Sequence, residues 1–122
     1  MPILDVQVVL PAELRLAAGV AQAVADAAAA SLGAEPGRVW VRLEVLASAN
    51  YAENNSKLSA SELPAFVRVL HAQPPVGTAA EAEILALTAA IAAALGRPTD
   101  RVHIEYAPAG RGRVAFGGRM VR

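Results

Sequence analysis

The residue with the most distinctive chemistry is Pro2, directly after Met1. Methionine before a small residue such as proline is normally trimmed, and its removal would leave a secondary amine as the terminal group. An α-amino group has a pKa of roughly 7.7 to 8.0 in water, and desolvation or a nearby guanidinium lowers it, so the neutral amine is available near pH 7. Such an amine can take a proton from carbon next to a carbonyl and return it elsewhere, provided a cation or hydrogen-bond donor stabilises the developing enolate. Arg42, Arg68 and His103 are the candidates for that second role, and an arginine would also clamp a substrate carboxylate. Each residue has a structural alternative. Pro2 can be no more than an efficiently processed terminus; Arg42 can pair with Glu44 or Glu105, and Arg68 with Asp5. Trp40, Tyr51 and Phe116 suit interface packing more readily than pocket walls, and His71 reads as structural.

The elements that must position these residues form a repeat. Leu32, Gly33, Arg38 and Val39 match Leu95, Gly96, Arg101 and Val102 at a constant offset of 63, and the same offset lays one Ala-rich stretch over another and residues 3–9 over 66–72. Self-similarity at a fixed period reflects one duplicated supersecondary unit. Each unit reads as strand, helix, strand. Residues 3–10 are β-branched and aliphatic and stop at Pro11; residues 13–32 hold strong helix formers and end at Gly33, where a left-handed cap is expected. In the second unit the pattern predicts a strand over 65–71, an N-cap at Thr78, a helix over 79–95 ending at Gly96, and a return strand over 101–106. A strand-helix-strand crossover implies parallel pairing, so two copies give an α+β fold: a four-stranded mixed sheet with both helices on one face. The chain is expected to be a single domain, 1–122, of two pseudo-repeats, about 1–63 and 64–122.

The other face of the sheet is left uncovered. Alternation along residues 39–45 puts Val39, Val41 and Leu43 under the helices and Trp40, Arg42 and Glu44 on the open side. Val102 and Ile104 likewise face the helices, while His103 and Glu105 join the open side with Asp5, Gln7 and Arg68. A face mixing Trp, Arg, His and acids with aliphatics reads as a subunit interface with a polar site embedded in it. Residues 47–62 are polar and turn-rich, and the glycine-punctuated tail, 110–121, suits a terminal hairpin or an edge that pairs with a neighbouring chain.

Composition narrows the partners. The 122 residues are 55% apolar with a formal net charge of zero, enough for one core and without the basic footprint that nucleic acid or an anionic membrane requires. The absence of cysteine and two isolated histidines argue against a metal. No basic leader precedes an apolar run, so a cytoplasmic location is expected. The longest apolar stretches carry polar interruptions and fall short of the ~20 residues of a membrane span.

Pro2, the duplicated unit of about 60 residues and the open sheet face together resemble the tautomerase superfamily. The first half is similar to 4-oxalocrotonate tautomerase; the full length is similar to macrophage migration inhibitory factor and 5-carboxymethyl-2-hydroxymuconate isomerase. Arg101, Val102, His103, Ile104, Glu105 and Tyr106 resemble an Arg-Val-Tyr-Ile-Asn-Tyr stretch of the inhibitory factor, and Leu70 and His71 fall where it also has Leu-His. Tyr51 and Phe116 occupy the places of the aromatics that follow each return strand. The resemblance implies a homotrimer with sites between subunits, Pro2 as general base, no cofactor, and Arg42, Arg68, His103, Glu105, Trp40, Tyr51 and Phe116 around a small-molecule substrate. Departures limit the substrate: Ala34 stands where the inhibitory factor has lysine, Trp40 where 4-oxalocrotonate tautomerase has arginine, and Ala115 where hydratase relatives have glutamate. The expected activity is keto-enol tautomerisation or isomerisation of a small 2-oxo or 2-hydroxydienoic acid. The alternatives are decarboxylation or hydration with the same amine, and a trimeric binding module without chemistry.

Overall fold

The computed structural model describes residues 2–122. Met1, and with it the expectation that its removal frees the Pro2 amine, lies outside the described residues.

The chain runs β1 (Ile3–Leu10), α1 (Val20–Leu32), β2 (Trp40–Ala47), β3 (Ala65–Leu70), α2 (Gly77–Leu95), β4 (Val102–Tyr106), then a short hairpin of β5 (Ala115–Phe116) and β6 (Arg119–Met120). The main sheet has the order β2-β1-β3-β4. β1 and β2 are parallel, as are β3 and β4, and the two central strands β1 and β3 are antiparallel. Both parallel pairs have the same register: 37 positions separate Ile3 from Trp40 and Ala65 from Val102. At the centre, Asp5 pairs with Arg68, its own counterpart at the offset of 63, so a pseudo-twofold passes between them.

Period-2 alternation decides which face is buried. Leu4, Val6 and Val8 of β1 and Val67 and Val69 of β3 have at most 1% exposure and meet Val24 and Ala28 of α1 and Leu87, Ile91 and Ala92 of α2. Burying Leu87 and Ile91 fully contributes about 1.5–3 kcal/mol each. The many alanines let α1 and α2 lie against each other as well as on the sheet. By length and composition α2 passes for a membrane-crossing helix, with mean hydropathy 1.6; Leu87, Ile91 and Ala92 pack into the core while Leu85 stays 73% exposed.

Several expected boundaries move. The first helix begins at Val20 rather than residue 13, because Gly19 adopts a left-handed φ of 84°, and its carbonyl accepts the first helical bond, from Ala23, at 2.9 Å. The strong formers at 13–18 are outweighed by that local geometry, since propensity is a weak prior. α2 starts at Gly77 with an extended Val76 as its cap and no side-chain capping bond, so Thr78 lies inside the first turn. β2 runs on to Ala47, β3 stops at Leu70, and a 3-10 turn over Thr99–Arg101 delays β4 to Val102. The left-handed caps at Gly33 and Gly96 form where expected.

The two units are tied by Arg97. Its guanidinium donates to the carbonyls of Leu63, of Pro64 (3.3 Å) and of Val9 (2.8 Å), and burial pulls its pKa below the usual guanidinium value. The Pro64 carbonyl also accepts the Val9 backbone N–H at 3.1 Å, so the one side chain adds a shared donor across the junction where β1 meets the segment leading into β3.

Candidate active site

The register arranges the open face in three cross-strand rows. The first, at the start of β1, is Trp40, Ile3 and Leu70, with Pro2 immediately before it. The second is Arg42, Asp5, Arg68 and Glu105, an alternation of positive and negative side chains across all four strands. The third is Glu44, Gln7, Phe66 and His103. Four residues separate the first row from the third, about 13 Å at ~3.3 Å per residue.

Pro2 is buried, and its carbonyl accepts the Trp40 backbone N–H at 3.1 Å. The Trp40 ring is half exposed; its indole N–H donates to the Gly37 carbonyl at 3.0 Å, and its face meets Phe116 edge-on, with centroids 4.6 Å apart and planes at 76°. Phe116 arrives there because the tail crosses the sheet end. Gly110 N–H donates to the His71 carbonyl (2.8 Å), Arg111 N–H to Ala72 (2.9 Å) and Val121 N–H to Val114 (2.8 Å). Between this strap and the sheet lies a cavity of about 230 Å³, lined by Asp5, Arg68, Leu70, residues 107–110, Arg113 and Val114.

In the middle row Asp5 is gripped by Arg42 through two bonds, Nε to Oδ1 at 2.6 Å and Nη2 to Oδ2 at 2.9 Å. That hydrogen bond and charge raise the Arg42 pKa. Arg42 therefore pairs with neither Glu44 nor Glu105, and Glu44 instead accepts from Gln7 at 3.1 Å. Arg68 is beside both Asp5 and Glu105 in register, yet among the described residues it makes no salt bridge, so the expected pairing with Asp5 does not form. A shallow hollow of about 600 Å³ runs over this row and the next.

His103 and Tyr51 occupy the opposite end. Phe66 stacks obliquely with both, at 5.9 Å from Tyr51 and 5.4 Å from His103. Glu53 accepts from the Tyr51 hydroxyl and from Arg101, both at 2.6 Å, and these bonds hold its carboxyl below the usual range. Burial and then the bond to Glu53 push the Tyr51 phenol up, so it stays a donor at neutral pH. On the helix side, Glu83 joins His71 (2.8 Å) and the Tyr106 hydroxyl; burial followed by that bond raises the Tyr106 pKa. This matches the structural reading of His71.

Within one chain, then, Pro2, Trp40 and Phe116 come together, Arg42, Arg68 and Glu105 form the charged row beside them, and His103 and Tyr51 do not reach Pro2. Arg113 faces the cavity and was not singled out from the sequence. The only signal was the alternation of Gly and Arg over residues 110–113, which does not say which arginine turns inward. Among the described residues no three His, Asp or Glu side chains converge as a metal's ligands would.

A duplicated β-α-β unit with one four-stranded mixed sheet and two helices on one face is the tautomerase fold. A fused 4-OT solved as an asymmetric trimer superposes with a TM-score of 0.73 at 22% identity, over 97% of this chain and 94% of its own. Pt0534, solved after inactivation by 2-oxo-3-pentynoate, gives 0.74 at 17% identity over 98% and 94%. The macrophage migration inhibitory factor from Trichinella spiralis gives 0.72 at 14% identity over 97% and 98%. No family model matches the sequence, and no curated protein matches it. At these identities the likeness is one of fold.

Proposed function

We propose that the protein is a cofactor-independent tautomerase or isomerase, with the Pro2 amine as general base, acting on a small 2-oxo or 2-hydroxydienoic acid. The observation that carries this reading is the placement of Pro2. It opens β1 at the end of the open face where the Trp40–Phe116 pair, the cavity and Arg68 gather, in a chain that fits solved tautomerases over nearly its whole length. Once Met1 is removed, the amine takes a proton from the carbon or enol oxygen of the substrate, and a cation holds the negative charge that spreads onto oxygen. The protonated amine then returns the proton at the other end of the conjugated system. Burial of Pro2 favours the neutral amine at rest.

The proposed assembly is a homotrimer. β2 and β4 each leave one edge unpaired among the described residues, and the open face carries Trp40 and Phe66 exposed among its charges. His103, Glu105 and Tyr51 would then approach Pro2 from another copy, since within one chain His103 lies a full ~13 Å of strand away. Solved relatives of this fold that are trimers support the reading.

The test is intact-mass spectrometry of the protein, followed by 3-bromopropiolate labelling with peptide mapping and phenylenolpyruvate ketonisation. The reading expects loss of Met1, one adduct on Pro2, and turnover that Pro2→Ala abolishes. Retained Met1, or full activity in Pro2→Ala, overturns it.

A further inference from the structure

We infer that Glu83 is a positioning residue for the Pro2 site: from the core-facing side of α2 it holds the ends of β3 and β4 together, and so fixes the strap that walls the site. Its consequence for turnover rests on the Pro2 reading; the fixing of the strap rests on contacts alone. Along its 19 residues α2 carries two charges, Glu81 and Glu83. Glu81 is exposed, whereas the Glu83 side chain is 19% exposed and lies one turn before the fully buried Leu87. A carboxylate in that place costs desolvation unless donors meet it. One of its oxygens, Oε2, accepts from two, His71 Nε2 at 2.8 Å and the Tyr106 hydroxyl. With the carboxylate ionised, the His71 proton in this contact sits on Nε2. The rings of His71 and Tyr106 also pack obliquely, with centroids 5.7 Å apart.

The first unit folds without such a network. At the offset of 63 the counterparts of His71, Glu83 and Tyr106 are Val8, Val20 and Leu43, three aliphatic side chains in the core or packed against it. The polar trio is confined to the unit from which the strap departs. Tyr106 ends β4, and His71 directly follows the end of β3. The root of the strap is built on that same stretch: Ala107 N–H donates to the Val69 carbonyl (2.9 Å), Gly110 N–H to His71 (2.8 Å) and Arg111 N–H to Ala72 (2.9 Å). Glu83 thus grips both sides of the fork where the strap leaves the sheet. Further along, residues 107–110 and Val114 wall the cavity, and Phe116 reaches Trp40. A displaced wall loosens the fit of a substrate beside Pro2 and leaves the amine itself unaltered, so the effect falls on KM more than on kcat.

The experiment pairs phenylenolpyruvate ketonisation with amide hydrogen exchange on wild type, Glu83→Ala, Glu83→Gln and Tyr106→Phe, with Glu81→Ala and Arg97→Met as controls. Glu83→Ala is expected to speed exchange at Gly110 and Arg111 by about tenfold or more, as loss of charge-assisted bonds implies, with the amides of the β1–β3 ladder unchanged. In the same variant KM rises by about tenfold while kcat stays within about threefold of wild type. Tyr106→Phe removes one of the two donors and shows both changes to a smaller degree. Glu83→Gln keeps an acceptor oxygen and recovers most of the binding, and Glu81→Ala matches wild type. Arg97→Met loses stability at the other end of α2 and keeps the wild-type KM. Wild-type exchange at Gly110 and Arg111, or a wild-type KM, in Glu83→Ala overturns the positioning role; should that variant not fold, the same result in Tyr106→Phe does so. An equal rise of KM in Arg97→Met also overturns it, since the effect would then be one of stability. If wild type turns nothing over, the Pro2 reading falls and exchange alone decides whether Glu83 fixes the strap. Turnover with unchanged exchange in Glu83→Ala removes the positioning role and leaves Pro2 in place.

Discussion

The two ends of the open sheet face are built on one backbone plan and hold different chemistry. At one end Pro2 leads into β1, and Trp40 meets Phe116 edge to face. At the other, the counterparts at the offset of 63 are Ala65, His103 and Glu53, and the aromatic contact is replaced by Phe66 against His103 and by Glu53 bound to Tyr51 and Arg101. The strand register is the same in both halves, so the backbone geometry survives while the side chains diverge. The difference that matters is covalent. Pro2 follows Met1 directly, whereas Ala65 is joined through Pro64 to the first unit, and Arg97, the counterpart of Ala34, fastens that junction by three carbonyls. A duplicated fold can thus keep one strand register at both ends while the side chains gathered there differ.

The largest expected effect breaks the comparison at its chemical end. Pro2→Ala should lower kcat towards phenylenolpyruvate by about 10²–10⁴-fold, the contribution of a positioned base, with little change in thermal stability. His103→Gln, on the same chain's far end, separates two arrangements: a loss of activity would mean that this residue serves a Pro2 from another copy, which mixing the two inactive variants would expose as partial recovery in hybrid assemblies. The next effect is at the junction. Arg97→Met removes the guanidinium donor from the carbonyls of Val9 and Leu63, while Pro64 keeps the Val9 N–H, and should cost about 2 kcal/mol, several degrees in Tm, by thermal unfolding. The mirror change, Ala34→Met, should stay within about 0.5 kcal/mol, since the half-buried Ala34 side chain makes no hydrogen bond to lose. Equal losses at the two sites would mean that the junction carries no special load.

The architecture was legible because it depends on periodicity. Alternation in β1, β2 and β3 placed Asp5, Arg42 and Arg68 on one face, and the Leu-Gly and Arg-Val matches located the duplication. What could not be read was pairing between side chains on adjacent strands. Asp5 has an arginine on either side, and the sequence does not say which is gripped; the side-chain geometry gives it to Arg42 and leaves Arg68 free to face the cavity. The helix start failed for a local reason, since one left-handed Gly19 outweighs six good helix formers before it. The position of Arg113 at the cavity was not legible because it depends on a tail that folds back over the sheet, and the short strands of such a tail carry no periodic signal.

A smaller effect sharpens the contrast between the aromatic contacts. Phe116→Leu removes the edge-to-face partner of Trp40 and should cost about 0.5–1.5 kcal/mol beyond lost area, seen as faster hydrogen exchange at Val114 and Val121 in the strap. Unchanged exchange there would mean that the strap is held by its backbone bonds alone.

The smallest effect distinguishes the ends by pH. Bonds from Tyr51 and Arg101 lower the Glu53 pKa in the folded protein, against about 4.3 unfolded. A carboxyl with a depressed folded pKa contributes stability that is complete above its unfolded value and is lost as pH falls through its folded value. Glu53→Gln should therefore be less stable than wild type at neutral pH, with the deficit shrinking below about pH 4 as the wild-type carboxylate is protonated. The Phe116→Leu deficit involves no titrating group and should stay constant over the same range. A difference between wild type and Glu53→Gln that stays constant down to about pH 3 would show that the ionised Glu53 carboxylate adds no stability through Arg101 and Tyr51.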